Sequence, residues 1–314
     1  MLKARPRTVL AVLGRVLARR VGLRPKDQVR SVSLRRAATS CGQEQIMGAM
    51  EFDSGIRTYY DKGQEASRLA SGAGRLELER TQELIARSLT ESALDVLDVG
   101  GGPGAYASWL SKKGHRVHVV DPIPLHVEQA TTAGLSAEIG DARELNQADN
   151  SVDAVLLLGP LYHLPDSADR SAALSEAMRV LRPGGLVLAA AISRHAALLD
   201  LLVNWDKLHD PGVFELVEES VRTGVFGGPG EAGLFTTSYF HLPSELKSEV
   251  AEAGFTDVHV FHVEGPGFLV PDLEARLDDP PRREALLRAI RLVEEDPAFL
   301  GSSHLLAVGR TPTR

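Results

Sequence analysis

The apolar run Leu94–Val99 passes directly into Gly100-Gly101-Gly102-Pro103-Gly104 and then into a helical pattern. Glycines clustered there let the backbone turn sharply and lie against a ligand where a Cβ would clash. A helix starting at such a turn presents N–H groups without helical partners to a polar or anionic group. The segment therefore predicts a strand, a ligand-facing loop and a helix. Alone it does not select a cofactor: dinucleotide-binding folds use a similar loop, and Gly100, Gly102 and Ala105 fit the relaxed G-x-G-x-x-G/A spacing.

The rhythm then repeats. Strand-like runs at 116–121, 137–139, 152–158, 186–192, 258–263 and 305–308 alternate with helical patterns near 104–113, 124–133, 168–182 and 243–253. Continuously apolar strands suit a parallel sheet buried on both faces. The alternation predicts an α/β fold, a doubly wound, mostly parallel, seven-stranded Rossmann-like sheet with helices on both faces. Upstream, residues 77–89 read as an amphipathic helix within an N-terminal helical cap, 47–91. The main domain, 92–314, is interrupted at 194–241 and 266–302, and insertions at strand ends commonly build substrate pockets.

The formal net charge of −7 is unevenly spread, with eleven basic and two acidic residues in 1–46 against 24 basic and 40 acidic in the rest. A body that acidic repels a phosphate backbone, which disfavours nucleic acid as a substrate. The basic extension 1–46 reads as a disordered tail, as the result of a start placed upstream of Met47 or Met50, or as an Arg-rich transit segment. Its most apolar piece, 8–18, falls short of the roughly 20 residues that span a bilayer, so no membrane segment is expected. One cysteine, Cys41, leaves no intrachain disulfide and fits a cytoplasmic protein.

Further acids stand where a nucleoside ligand needs them. Asp98 sits inside the first strand, two residues before Gly100, placed to face a ligand's ammonium. Asp121 closes the second strand, where a carboxylate can accept both ribose hydroxyls, in NAD enzymes as well. Gly140-Asp141-Ala142 offers a carboxylate to an adenine amino group, and Leu181-Arg182-Pro183-Gly184-Gly185 reads as a sharp helix-to-strand turn. With DVGGGPG (98–104), VVD (119–121), GDA (140–142), VDAVLLLGPLYHL (152–164), VLRPGG (180–185) and EAGF (252–255), the chain resembles class I S-adenosylmethionine-dependent methyltransferases. The resemblance covers about 92–193, with 243–263 and 303–310 closing the fold.

That resemblance implies S-adenosyl-L-methionine as cofactor and S-adenosyl-L-homocysteine as product. It implies that Asp98, Gly100, Gly102 and Gly104 line the methionine moiety, that Asp121 holds the ribose, and that Asp141 and Ala142 flank the adenine. Gly159 would lie near the sulfonium. The expected reaction is methyl transfer to O, N or C of a small-molecule acceptor, with acceptor and oligomeric state left open.

Such a transfer asks mainly for alignment and water exclusion, and needs a base only where the acceptor must lose a proton. His163, after the fourth strand, reads either as that base or as a ring capping the loop and packed beneath the cofactor. Tyr162 reads as a pocket wall. His195, Trp205 and Tyr239 are candidates for a substrate pocket or for the insertion's own small core. Tyr60 and Arg75, in the cap, are candidates to reach the methionine carboxylate or are ordinary helix-surface residues. No zinc-ligand spacing occurs, and His259 and His262 fall on opposite faces of one strand, so no metal is expected.

Three alternatives remain at this level. An RNA or tRNA methyltransferase is disfavoured by charge and by Gly159-Pro160-Leu161-Tyr162, which departs from N/D-P-P-Y/F at its first and third positions. A nicotinamide oxidoreductase would need a second catalytic constellation, which the sequence lacks. A non-catalytic adenosylmethionine-binding protein shares every motif above.

Overall fold

Strand and helix alternate from Asp95 onward in the computed structural model, which describes residues 60, 68–227 and 235–313. After α1 (Gly72–Ser88) come β1 (Asp95–Val99), α2 (Ala105–Lys112), β2 (Arg116–Asp121), α3 (Pro124–Thr132), β3 (Ser136–Ile139) and β4 (Val152–Leu157). A 3-10 turn, Pro160–His163, leads to α4 (Ser167–Val180) and β5 (Leu181–Ser193). The first insertion forms α5 (Ala196–Val203), α6 (Pro211–Thr223), β6 (Val225–Phe226) and β7 (Ser238–His241). The chain then runs through α7 (Pro243–Glu252), β8 (Thr256–His262), α8 (Leu273–Asp278), α9 (Pro280–Arg291) and β9 (His304–Arg310).

The main run of the sheet is β3-β2-β1-β4-β5, parallel throughout, continued by β9 and β8. β9 lies antiparallel between β5 and β8. These are the seven strands the alternation predicts. Two departures are informative. β5 begins at Leu181, not near Leu186; the expected sharp turn is absorbed as a register shift opposite Val152–Ala154, with Gly184 at φ +79°. The insertion also contributes to the sheet, since β7 pairs with the end of β5 through Ile192↔Phe240 and Ser193↔His241.

Alternate residues feed two core layers, as a strand's period of two requires. Val155, Leu157, Val187 and Ala189 pack with Ala173, Leu174 and Ala177 of α4 and Leu246 of α7. Ala154, Leu156 and Leu188 face the other way, against Leu84 and Ile85 of α1 and Ala107 and Leu110 of α2. Leu156 is fully buried, so Leu156→Ala carries the usual cost of about 2–5 kcal/mol for a core truncation.

α1 belongs to that second layer. Its Arg80, fully buried, donates from Nε to the Val263 carbonyl at 3.1 Å and pairs with Glu294 and Glu83. Breaking such a buried pair from one side costs about 3–5 kcal/mol. The anchor fixes α1 over the sheet's carboxyl edge, with Glu77 and Thr81 facing the cleft. The basic extension 1–46 and, Tyr60 aside, the cap up to residue 67 lie outside the described residues. Among the described residues no helix is long and apolar enough to cross a membrane.

Candidate active site

The carboxyl ends of β1, β2 and β4 open into a cleft of about 1240 Å³, its mouth included, and the start of β9 closes the far side. The glycine loop forms its near wall. Gly100, Gly102 and Gly104 have φ of +69°, +58° and +87°, the left-handed region that only glycine enters freely. Two of them also lack room: a Cβ on Gly100 would meet Pro160 Cδ at 2.8 Å, and one on Gly104 would meet Leu135 Cδ1 at 2.3 Å.

Asp98 lies in this wall, fully buried, and neither carboxylate oxygen has a hydrogen-bond partner. Burial pushes its pKa up to about 7, the nearby Asp121 carboxylate adds to the rise, and the Ala107 N–H opposes it. A buried acid without a partner costs several kcal/mol unless a counter-charge arrives.

Asp121 is the opposite case. Its Oδ2 accepts from the Gly102 N–H at 2.8 Å, and its Oδ1 accepts from the Ile123 N–H at 2.9 Å and faces His126 Nδ1 at 3.1 Å. Three of the roughly four lone-pair positions of a carboxylate are thus taken. The expectation that Asp121 accepts both ribose hydroxyls needs correcting, because capacity for about one remains without rearrangement. His126, which the motifs did not single out, is buried beside it and lines the cleft.

Asp141 and Ala142 line the cleft beyond β3. Arg143 holds the Asp141 carboxylate with Nη2 at 2.6 Å and reaches Asp169 at 3.0 Å with Nη1. Gly159 lies where β4 ends, and a Cβ there would make only ordinary contacts, 3.4 Å from the Gly100 carbonyl oxygen and 3.6 Å from Tyr162 Oη.

His163 forms part of an aromatic wall with Tyr60, Tyr162 and Phe235, their ring centroids 4.7–5.6 Å from its own. Its Nε2 shares a 2.7 Å hydrogen bond with the Tyr60 hydroxyl, and its buried Nδ1 has no partner. Burial pushes the imidazole down to about 3. A ring held that far from protonation is a poor proton acceptor near neutral pH. Tyr60, one of the two cap candidates, is thus brought to the cleft on His163.

Arg75, the other, is not. Its guanidinium pairs with Glu274 at 3.0 Å and Asp278 at 2.7 Å, joining α1 to α8 outside the cleft lining. Of the proposed substrate-pocket residues, Tyr162 lines the cleft, whereas His195, Trp205 and Tyr239 do not. Tyr239 lies against the Arg170 guanidinium, 3.8 Å from its ring centroid, and Arg170 in turn grips Glu249 of α7. Trp205 is half-exposed and faces Lys207, and His195 stands at the N-cap position of α5 without a side-chain capping bond. These three serve the insertion.

Residues that no local motif marks fill the far end of the cleft: Arg68, Glu77 and His304, with Glu264 behind them. They come from three stretches of chain, around α1, after β8 and at the start of β9, which the fold brings together.

The donor and acceptor set fits an adenosylmethionine. An unpartnered buried carboxylate suits its ammonium, Gly100 and Gly102 carry the left-handed loop along the cleft wall, and Asp121 retains acceptor capacity. Residues 97–189 match the family described as a methyltransferase domain. An uncharacterised methyltransferase of Mycobacterium tuberculosis is 43% identical over 99 residues, 31% of this chain and 39% of that protein. Methyltransferase GfsG of Streptomyces halstedii is 31% identical over 166 residues, 50% of this chain and 57% of that one. The chain therefore spans well under two thirds of the length of these curated relatives. A SAM-dependent methyltransferase of solved structure from Methanosarcina mazei matches with a TM-score of 0.50 at 16% identity, covering 73% of this chain and 98% of that one, a likeness of fold. The segment that matches the methyltransferase-domain family runs from β1 into β5, the stretch that carries the glycine loop, Asp121 and Asp141.

Proposed function

We propose that the cleft binds S-adenosylmethionine and passes its methyl group to O, N or C of a small-molecule acceptor. The observation that carries this reading is Asp98, a carboxylate that the fold buries without a partner at the wall of a glycine cradle. When bound, the cofactor supplies a methyl already activated on a sulfonium. In this reading Asp98 takes the ammonium, Gly100 and Gly102 line the methionine moiety while Gly104, outside the cleft lining, turns the chain into α2, and Asp121 accepts from the ribose. Asp141 and Ala142 flank the adenine and Gly159 lies near the sulfonium. The aromatic wall of Tyr60, Tyr162, His163 and Phe235 excludes water, and His163 supports that wall instead of taking a proton. The acidic body favours a small acceptor over a nucleic acid.

Calorimetric titration with S-adenosylmethionine, S-adenosylhomocysteine and NAD tests the reading. Binding of the first two with raised melting temperature, and none of NAD, is the expected result. Preference for NAD, or no binding of any, would overturn it.

A further inference from the structure

Under the proposed function the cofactor residues occupy the β1–β3 half of the cleft, which leaves the β9 half for the acceptor. Ala190, Leu306 and Val263 give that half an apolar floor. Leu306 and His304 alternate onto the same face of β9, so the floor ends on the His304 ring.

That ring is held from behind. Its Nδ1 contacts Glu264 Oε1 at 2.5 Å, while Glu264 Oε2 accepts from the His304 N–H at 2.9 Å and lies 3.3 Å from Ser302 Oγ. Glu264 is almost fully buried. Glu77 of α1 lies 3.9 Å from Nδ1 and is gripped by Arg68, with contacts of 2.5 and 3.1 Å. Burial alone would lower the His304 pKa, but Glu264 and Glu77 outweigh it and raise it to about 9, against a smaller opposing effect of Arg68. Burial would likewise raise Glu77, yet His304 and Arg68 hold it below the ordinary carboxylate range. With Nδ1 bound to Glu264, Nε2 makes no protein hydrogen bond among the described residues and is the donor left to the cleft.

We propose that His304 is the acceptor-recognition residue, an imidazolium whose Nε2–H receives an oxygen anion of the acceptor, a phenolate, enolate or carboxylate. Glu264 is its positioning residue. The acceptor's proton leaves to solvent on binding, so no base is required in the cleft. The oxygen lone pair then forms the new O–C bond as the S–C bond breaks and its pair stays on sulfur.

Glu77, Glu264 and His304 bring ligand atoms within 4.8 Å of one another, a spacing that also suits a cation. Charge decides against it. Two carboxylates already face two cations, Arg68 and His304, and a divalent ion would have to displace both.

The probe is 4-nitrophenol, whose phenolate absorbs in the visible, titrated into the full chain saturated with S-adenosylhomocysteine. The wild-type complex should bind the phenolate. His304→Ala should bind it about tenfold more weakly or worse, with His304→Gln between, as expected for losing a hydrogen bond to a charged group. Binding should fade as pH rises through about 9, and Glu264→Gln should move that limb to lower pH. Adenosylhomocysteine affinity should stay within about twofold in all three variants, which also reports that they fold.

Equal phenolate affinity in wild type and His304→Ala would overturn the proposal, as would no phenolate binding by the wild-type complex. A parallel loss of adenosylhomocysteine affinity would overturn it by assigning the ring to the cofactor's own carboxylate. Stoichiometric Zn²⁺ or Mn²⁺ binding abolished by His304→Ala would overturn it in favour of a metal. Failure of the wild type to bind adenosylhomocysteine would instead break the cofactor reading beneath it.

Discussion

The two halves of the cleft are built by different means. On the β1–β3 side each ligand-facing group sits within a few residues of a strand end, and a short motif carries it: Asp98 with the glycine loop, Asp121 at the end of β2, Asp141 after β3. On the β9 side, Arg68, Glu77, Glu264 and His304 lie as far as 236 positions apart and meet only because β9 inserts beside β5. A strand-end motif is a local constraint, so it survives in one dimension. A charge network assembled by sheet order is not. Under the proposed function, the half built from motifs serves a cofactor with fixed chemistry, and the assembled half is free to suit one acceptor.

The comparison breaks most visibly at the loop. Gly102→Val puts a branched side chain at φ +58° and disturbs the N–H that Asp121 holds. Strain of about 1–3 kcal/mol at such a position, with the displaced loop, should lower adenosylhomocysteine affinity by roughly a hundredfold. Affinity unchanged by isothermal titration would mean that the loop is only a turn.

Asp121→Ala removes an acceptor of two backbone N–H groups, and of His126, as well as the proposed ribose contact. Losing bonds to a charged group costs about 1.5–3 kcal/mol, so affinity should fall roughly tenfold to a hundredfold, with a lower melting temperature. Intact affinity would place the ribose elsewhere.

His163→Phe keeps the ring and discards the bond to Tyr60. Loss of one neutral hydrogen bond, about 1 kcal/mol, should weaken cofactor binding severalfold and leave the turnover–pH profile unchanged once an acceptor is in hand. A fall in turnover of about 10²-fold or more with cofactor affinity intact would restore His163 as the base. The smallest effect belongs to Arg75→Ala, which should cost under about 1 kcal/mol of stability because its partners are largely exposed. Adenosylhomocysteine affinity should not change, and a large loss would return Arg75 to the cofactor site.

Much of this was legible in the sequence, for identifiable reasons. The seven-strand alternation and the positions of Asp98, Asp121 and Asp141 follow from apolar periodicity and strand-end punctuation. Asp210-Pro211 at the start of α6 and Gly224 at its end are equally plain helix signals, and they bound a helix inside the 194–241 insertion. What stayed hidden was partner choice. Tyr239 and Arg75 are side chains of the right type near the right element. Arg170 engages the first, and Glu274 and Asp278 the second, across more than 60 positions of chain. Nothing local distinguishes such a pairing from a free functional group.

The central claim is that Asp98 waits for a cation, and the pH dependence of adenosylhomocysteine affinity tests it most directly. With its pKa raised to about 7, Asp98 is largely protonated in the free protein below that pH. Binding an ammonium favours the carboxylate and releases the proton, so affinity should rise roughly tenfold from about pH 6 to about pH 8, then level off. Asp98→Asn should be weaker throughout and flat across that range. A wild-type affinity independent of pH, or an Asp98→Asn variant that binds as tightly as wild type, would contradict the account.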